Sequence, residues 1–380
     1  MKIAIFTDTF YPDVNGVART LKRLTDYFET KSITFKIYAP ESNGNEYVSS
    51  NIHRFKSLPF FLYPECRLAF PNLFYLKSEL QRFSPDLIHV ATPFSAGLCG
   101  VYFAKKLNIP LVGSYHTNFD HYLEYYDLNF LSSIIWKYMY WFHRACEKLF
   151  VPSRETLLQL RHRGFTNLEI WPRGVDCQLF HPLYDKNAVY KRYNIQQKNI
   201  LTYVGRLAPE KDIKTLFAIA KSLPAYINKQ IHWLIVGDGP LREEFEGQAV
   251  SNMTFTGYLA GEHLAEVYAA SDLFVFPSST ETFGNVVLEA LASGTPVIGA
   301  NAGGVKNIVH SGETGLLCTA GNVEEFTDSI ILLLDNDNLR EKIGKAGRDY
   351  ALTQKWDQIF ENLTWHYIKI LNEHNQQKYA

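Results

Sequence analysis

Two glutamates, Glu281 and Glu289, frame the segment E-T-F-G-N-V-V-L-E, which follows a short apolar run at 273–276. That run predicts a buried strand, and the pattern from Asn285 onward predicts a helix. Glu281 then stands in the loop before the helix, and Glu289 stands about one turn inside it. The two carboxylates can contact different parts of one elongated ligand: Glu281 can accept hydrogen bonds from sugar hydroxyls, and Glu289 from ribose hydroxyls.

The start of this helix is also a candidate anion site. Gly284 permits close approach of backbone to a ligand, and the first helical turn has free N–H groups. We predict that the residues in contact with the ligand here include Phe283, Gly284, Asn285 and Val286. An ordinary loop with a glutamate favoured by the helix dipole is the alternative for two glutamates alone. The combination of strand, loop and helix favours the ligand site.

A second candidate segment, Y-V-G-R-L-A-P-E-K-D, ends an apolar run and leads into another helical pattern. Gly205 lies in its turn, and Arg206 and Lys211 can converge on a diphosphate. An arginine fork and a lysine point charge stabilise a departing nucleotide. The alternative is that these two cations are solvated and pair with Glu210.

The segment I-V-G-D-G-P carries Gly237 at the end of a third predicted strand. A glycine turn there can hold backbone near a base or ribose, although alone it indicates only a turn.

The first half of the chain offers two candidates. Gly16 lies in P-D-V-N-G-V, between the first predicted strand and the first predicted helix, where a flexible turn can present amides to a donor phosphate. The pattern G-x-G-x-x-G is absent here, which argues against a dinucleotide-dependent dehydrogenase. His116 follows the predicted strand at 111–114 and can contact the reacting sugar or an acceptor hydroxyl. A structural histidine is the alternative.

Composition narrows the class of protein. The formal net charge of −1 indicates no nucleic acid partner. The five cysteines are widely spaced without a C-x-x-C pair, which favours reduced thiols. The pattern D-N-D at 335–337 is better explained by capping and turns than by a metal site, so we expect no metal and no cofactor beyond the donor substrate. No signal peptide or membrane-spanning run is evident, and we expect a cytoplasmic protein.

Apolar runs alternate with amphipathic stretches along the chain, which predicts the α/β class with doubly wound parallel sheets. We predict two nucleotide-binding-type domains, at 1–178 and at 179–356, with a looser linking stretch near residue 180. A C-terminal helix at about 357–380 is predicted to pack back on the first domain. Ligands of such sheets bind at the carboxyl ends of strands, where all the candidate loops lie.

Aromatic residues indicate where an apolar acceptor could bind. They concentrate at 60–70 and 121–142, and Arg19, Lys22 and Arg23 add positive charge to the same half. Aromatic side chains with lysine and arginine suit a membrane interface, so we expect peripheral contact with the inner face of a membrane. Packing in the core is the alternative, especially for residues 136–142.

Together these motifs resemble the GT-B retaining glycosyltransferases of family four over nearly the whole chain. Glu281 and Glu289 are similar to that family's pair of glutamates, and Arg206 and Lys211 to its phosphate grip. Gly16 resembles the glycine of its first-domain loop, and His116 its active-site histidine. The motif order is most similar to the α-mannosyltransferase and plant sulfoquinovosyltransferase branch. The chain departs from the family at Asp212, where the family often has glycine.

The resemblance implies a metal-independent transfer of a hexose, mannose or glucose, from a UDP- or GDP-sugar to a lipid or glycan-precursor acceptor, with an α-linkage formed. It implies that the N-terminal domain binds the acceptor and that the second domain binds the nucleotide sugar. It also implies that Arg206 and Lys211 stabilise the leaving diphosphate, while Glu281 and His116 hold the sugar. Two other readings of the sequence are a GT-B-fold epimerase of nucleotide sugars and a non-enzymatic sugar-binding protein.

Overall fold

A computed structural model describes residues 1–13, 15–42, 49–59, 67–116, 130 and 132–379. The described residues divide into two compact units. The first unit comprises residues 1–116, 130–172 and 357–379, and the second comprises residues 173–356.

The first unit has, within its described residues, a seven-stranded parallel sheet and a two-stranded antiparallel sheet. The strands are β1 (Lys2–Phe6), β2 (Thr34–Pro40), β3 (Ile52–Phe55), β4 (Ser57–Pro59), β5 (Arg67–Ala69), β6 (Leu87–Val90), β7 (Leu111–Ser114), β8 (Lys148–Val151) and β9 (Leu168–Ile170). The helices are α1 (Gly16–Thr30), α2 (Leu73–Phe83), α3 (Ser95–Leu107), α4 (Ser132–His143) and α5 (Arg154–His162). The large sheet has the order β3-β2-β1-β6-β7-β8-β9, so its direction of winding reverses between β1 and β6.

The last helix, Trp356–Tyr379, belongs to the first unit from residue 357 onward. Tyr367 of this helix is fully buried, and its hydroxyl lies 2.7 Å from Nδ1 of His89 on β6. His89 in turn contacts the Ser114 hydroxyl through Nε2. The helix therefore packs on the first unit through a buried polar chain that reaches the end of β7.

The second unit has a six-stranded parallel sheet in the described part of the chain, in the order β12-β11-β10-β13-β14-β15. Its strands are β10 (Asn199–Val204), β11 (Ile231–Val236), β12 (Met253–Gly257), β13 (Leu273–Phe276), β14 (Val297–Ala300) and β15 (Gly315–Cys318). Its helices are α6 (Lys186–Arg192), α7 (Ile213–Ser222), α8 (Ala225–Asn228), α9 (Arg242–Glu246), α10 (Gly261–Ala270), α11 (Asn285–Ala292), α12 (Val305–Ile308), α13 (Val323–Asp335) and α14 (Asp337–Thr353). The helix Trp356–Tyr379, which belongs to the first unit from residue 357 onward, is labelled α15. A 3₁₀ turn, Pro209–Lys211, precedes α7.

The two parallel sheets confirm the predicted α/β class. The sequence did not predict the helix α6, which lies in the stretch interpreted as loose. Phe180 and Val189 of that stretch are buried in the core of the second unit, so tertiary packing orders a segment whose local pattern is weak. Among the described residues, no helix is long and apolar enough to cross a membrane.

Candidate functional site

The topology of the second sheet brings two candidate loops together. Strands β10 and β13 are neighbours, and the winding reverses between them. Parallel α/β sheets bind ligands at this switch point, outside the carboxyl ends of the strands. Arg206 and Lys211 follow β10, and Glu281 follows β13. The fold therefore places these three side chains at one edge of one sheet.

Lys211 and Glu281 form an ion pair at this edge. The Lys211 Nζ lies 2.5 Å from the Glu281 Oε1, and the Ser278 hydroxyl donates to the same oxygen over 3.4 Å. The side chains of the pair are only 22% and 16% exposed. Partial removal from water strengthens such a pair relative to one on the open surface. A cation and a carboxylate are thus held together at this edge of the sheet, and both side chains remain partly exposed to solvent.

Arg206 is anchored from two sides. Its Nη1 lies 3.7 Å from Oε1 of the buried Glu210, and the Tyr203 hydroxyl donates to the Arg206 carbonyl over 3.2 Å. Burial raises the pKa of Tyr203 well above its ordinary value, and the charge of Glu281 raises it further. The phenol therefore remains a neutral hydrogen-bond donor beneath the turn. Tyr203 was not predicted as a site residue, because nothing in the local pattern separates it from other strand residues.

Gly205 and Gly237 pack against each other through backbone. A Cβ built at Gly237 would lie 1.9 Å from the Gly205 carbonyl oxygen, and the φ of Gly237 is +135°. The Leu207 N–H also donates to the Asp238 carbonyl over 2.9 Å. Glycine is therefore needed at 237 to let the loop after β11 contact the loop after β10. Its predicted contact with the donor stays a prediction.

The helix α11 begins after Gly284, whose φ of +104° favours glycine. Phe283 is buried in the core, Val286 is half-buried, and the Asn285 Oδ1 is buried without a hydrogen-bond partner in the described part of the chain. A buried amide oxygen of this kind is costly unless something donates to it. Within the described residues, the Asn285 Oδ1 is therefore an unsatisfied acceptor at the start of α11.

Glu289 is held by Tyr268, which no motif in the sequence indicates as a site residue. The hydroxyl of the fully buried Tyr268, on α10, donates to the Glu289 Oε2 over 3.2 Å. This bond fixes one carboxylate oxygen and orients the other.

The loop after β14 forms a backbone hydrogen bond to Glu281. The Gly304 N–H donates to the Glu281 carbonyl over 2.6 Å, and a Cβ at Gly304 would lie 2.4 Å from Cα of Phe283. The pair Gly303-Gly304, shortly after the apolar run that forms β14, is a usable sequence signal that our predictions did not include. Its glycines let one loop backbone lie on another.

The two first-unit candidates lie at the carboxyl edge of their own sheet. Gly16 is the first residue of α1, whose N-cap is the Asn15 side chain, so it belongs to a helix rather than to the flexible turn we predicted. His116 follows β7, and its ring lies edge-on to Trp171 at a centroid distance of 5.8 Å. The roles predicted for both residues stay predictions. The rest of the loop after His116, and residues 60–66 and 121–129 of the aromatic segments, lie outside the described residues.

The pattern at 335–337 has a local structural role. Asp335 ends α13, and the Asn336 side chain accepts from the Leu339 N–H at the start of α14. No group of three or more His, Cys, Asp or Glu residues that could hold a metal ion occurs among the described residues.

Comparison with known proteins gives the family. Residues 14–179 match the family described as Glycosyltransferase Family 4, and residues 185–350 match the family described as Glycosyl transferases group 1. A GDP-mannose-dependent alpha-mannosyltransferase of Mycobacterium tuberculosis is 30% identical over 383 residues, which cover 99% of each chain. The chain belongs to the family-four glycosyltransferases.

Two further relatives are named for other sugars. Sulfoquinovosyl transferase SQD2 of Arabidopsis thaliana is 32% identical over 94% of this chain and 71% of that protein. The alpha-monoglucosyldiacylglycerol synthase of Streptococcus pneumoniae is 28% identical over 83% of this chain and 75% of that protein. These similarities confirm that the chain is a glycosyltransferase enzyme.

Solved structures agree on the fold. The sucrose-phosphate synthase of Thermosynechococcus elongatus matches with a TM-score of 0.82 and 22% identity, over 98% of this chain and 100% of that one. HepE of Anabaena matches with a TM-score of 0.78 and 18% identity, over 97% and 100%. The predicted GT-B fold of this family-four glycosyltransferase is thereby confirmed.

Proposed function

We propose that this enzyme transfers a hexose, mannose or glucose, from a nucleoside diphosphate sugar to a lipid or glycan-precursor acceptor, with retention of configuration and without a metal ion. The observation that carries the proposal is the convergence of Arg206, Lys211 and Glu281 at the switch point of the second sheet. Relatives named for mannosyl and glucosyl transfer support these two sugars.

The two cations suit the leaving group. Arg206 offers a planar fork to phosphate oxygens, and Lys211 offers a point charge. As the glycosidic bond to the diphosphate breaks, negative charge grows on the leaving oxygen. Positive groups that are already held in place stabilise that charge without reorganising. Both cations are held by protein contacts in this way.

The two carboxylates bind the uncharged parts of the donor, which are the sugar and the ribose. Glu281 accepts hydrogen bonds from sugar hydroxyls, and Glu289, oriented by Tyr268, accepts from the ribose. The acceptor hydroxyl attacks the anomeric carbon on the face of the leaving diphosphate, which takes the proton. No carboxylate is assigned as nucleophile, and His116 holds the reacting sugar or the acceptor hydroxyl.

The acceptor side of the proposal includes a membrane contact. In the first unit, α2 exposes large apolar side chains near its start: Phe74 is 90% exposed, and Phe70 just before the helix is 59% exposed. Aromatic side chains in such positions insert at a bilayer interface. Sedimentation with anionic vesicles tests this proposal, and F74E should weaken binding while the matched change at the exposed Tyr226, Y226E, should not.

The decisive experiment supplies GDP-mannose or UDP-glucose with a lipid extract and measures release of GDP or UDP. We expect release that depends on the acceptor, an unchanged rate after EDTA treatment, and an α-linked product by NMR. Absence of acceptor-dependent release with every donor and extract would contradict the transferase proposal. A β-linked product would contradict retention of configuration, because both donors carry an α-linked sugar.

A further inference from the structure

Asp212 occupies a backbone conformation that favours glycine. It lies between the 3₁₀ turn Pro209–Lys211 and α7, with φ +52° and ψ +37°. Glycine adopts this left-handed region at no steric cost, whereas other residues pay for it, Asp and Asn least. The backbone conformation therefore does not explain why this position has an aspartate instead of a glycine.

The Asp212 carboxylate does not cap its own helix. Asp212 is the N-cap residue of α7, yet its side chain makes no capping hydrogen bond to that helix. Instead, its Oδ2 accepts from the Ser279 N–H over 2.9 Å and from the Ser279 hydroxyl over 2.7 Å. Ser279 lies in the loop after β13, 67 residues away along the chain. The side chain therefore joins the two loops of the candidate site.

A third cross-loop hydrogen bond lies beside these two. The Thr280 hydroxyl donates to the Glu210 carbonyl over 2.7 Å. Each bond involves a residue adjacent to Lys211 on one loop and a residue one or two positions before Glu281 on the other. Together the three hydrogen bonds hold the two loops in one position relative to each other. They therefore set the spacing of the Lys211–Glu281 pair.

We propose that Asp212 is a positioning residue, which sets Lys211 and Glu281 at the spacing that grips the diphosphate and the sugar of one donor. The proposal rests on the function proposed above. Asp212 acts through geometry rather than charge, since a carboxylate near bound phosphates repels them.

This distinction gives sharply different expectations for two variants. In D212N the amide Oδ1 can accept both bonds from Ser279, and Asn tolerates the left-handed region, so the geometry is kept while the charge is lost. In D212G the backbone is relaxed and both bonds are lost. The matched control is N194G, which makes the same kind of change at an exposed left-handed residue of the second unit (φ +51°).

The experiment measures three quantities for the wild type, D212N, D212G, S279A and N194G: affinity for UDP and GDP by calorimetry, kcat and KM with the better donor, and Tm. For D212G we expect about a tenfold loss both in nucleoside diphosphate affinity and in kcat, an unchanged KM for the acceptor, and a Tm matching N194G. D212N should match or exceed the wild type in affinity, and S279A, which keeps the N–H bond, should lie between wild type and D212G.

A coupling test identifies the path of the effect. In a K211A background, D212G should cause little further loss of nucleoside diphosphate affinity, because Asp212 acts through Lys211. Additive losses of nucleoside diphosphate affinity in the double variant would overturn the positioning role. It would also be overturned if the wild type binds UDP or GDP and D212G keeps the same affinity as N194G. D212N losing as much as D212G would overturn it as well. A wild-type protein that binds neither nucleotide would instead overturn the proposed function and this inference with it.

Discussion

The Lys211 ammonium already has a partner, since its Nζ lies 2.5 Å from the Glu281 Oε1. A diphosphate that binds here must share this cation with the carboxylate or replace it. Under the proposed function, we therefore expect the carboxylate to oppose binding of a bare nucleoside diphosphate and to accept hydrogen bonds from the sugar of a complete donor.

We expect E281Q to bind UDP or GDP several-fold more tightly than the wild type, while sugar transfer falls by at least about tenfold. The amide no longer neutralises Lys211, and it is a weaker acceptor for sugar hydroxyls. Calorimetry and steady-state kinetics measure the two effects. E244Q removes an exposed carboxylate elsewhere in the second unit and should change neither. Weaker nucleotide binding by E281Q would contradict the competition.

K211A and E281A should each lose about 10²–10³-fold in turnover, because each removes a group that stabilises or holds the reacting part of the donor. Circular dichroism should show both variants folded. Near-normal turnover in both would contradict the site.

Y268F tests the support of Glu289. Loss of the 3.2 Å bond frees the carboxylate to turn, so we expect the donor KM to rise several-fold with little change in kcat. Y226F alters an exposed tyrosine of the same unit and should leave KM unchanged. A donor KM in Y268F equal to that of Y226F would show that Glu289 needs no such support.

G237A tests the contact between the loops after β10 and β11. The added Cβ meets the Gly205 carbonyl at 1.9 Å, so we expect the second unit to lose about 1–3 kcal/mol of unfolding free energy beyond the loss in G312A. Gly312 also has a positive φ, of +83°, but nothing lies within 4 Å of its built Cβ. Urea unfolding measures the difference, and equal losses would refute the close approach.

His89 makes the stability of the first unit depend on pH. Burial lowers the pKa of its imidazole to about 3, from an ordinary value of 6.5. Below pH 6.5 His89 is protonated in the unfolded chain but stays neutral in the folded chain. The contribution of His89 to the free energy of unfolding is therefore fully present above pH 6.5 and is lost as the pH decreases toward 3. Between pH 7.5 and 5.5 the wild type should lose about 1.4 kcal/mol more than H89Q. H162Q, at an exposed histidine, should keep the wild-type dependence, and a wild-type dependence in H89Q would contradict the assignment.

The core strands were predictable because fully buried parallel strands form short apolar runs that the sequence displays directly. Strands β7 and β13 have the bounds that the sequence predicts, 111–114 and 273–276. The candidate loops followed from one rule, that ligands bind at the carboxyl ends of such strands. The type and position of Arg206, Lys211 and Glu281 needed no tertiary information.

The contacts among these residues were decided only by the tertiary structure. Strand β10 lies between β11, the next strand in sequence, and β13, which comes later in the chain. The pairing with β13 brings Lys211 to Glu281 and Asp212 to Ser279. The same holds for His89 and Tyr367, which are 278 residues apart. The sequence by itself determined the Glu281 loop and the family, because strand periodicity and residue chemistry are local. Partners of these residues depend on which strands pair, a long-range choice that no local pattern records.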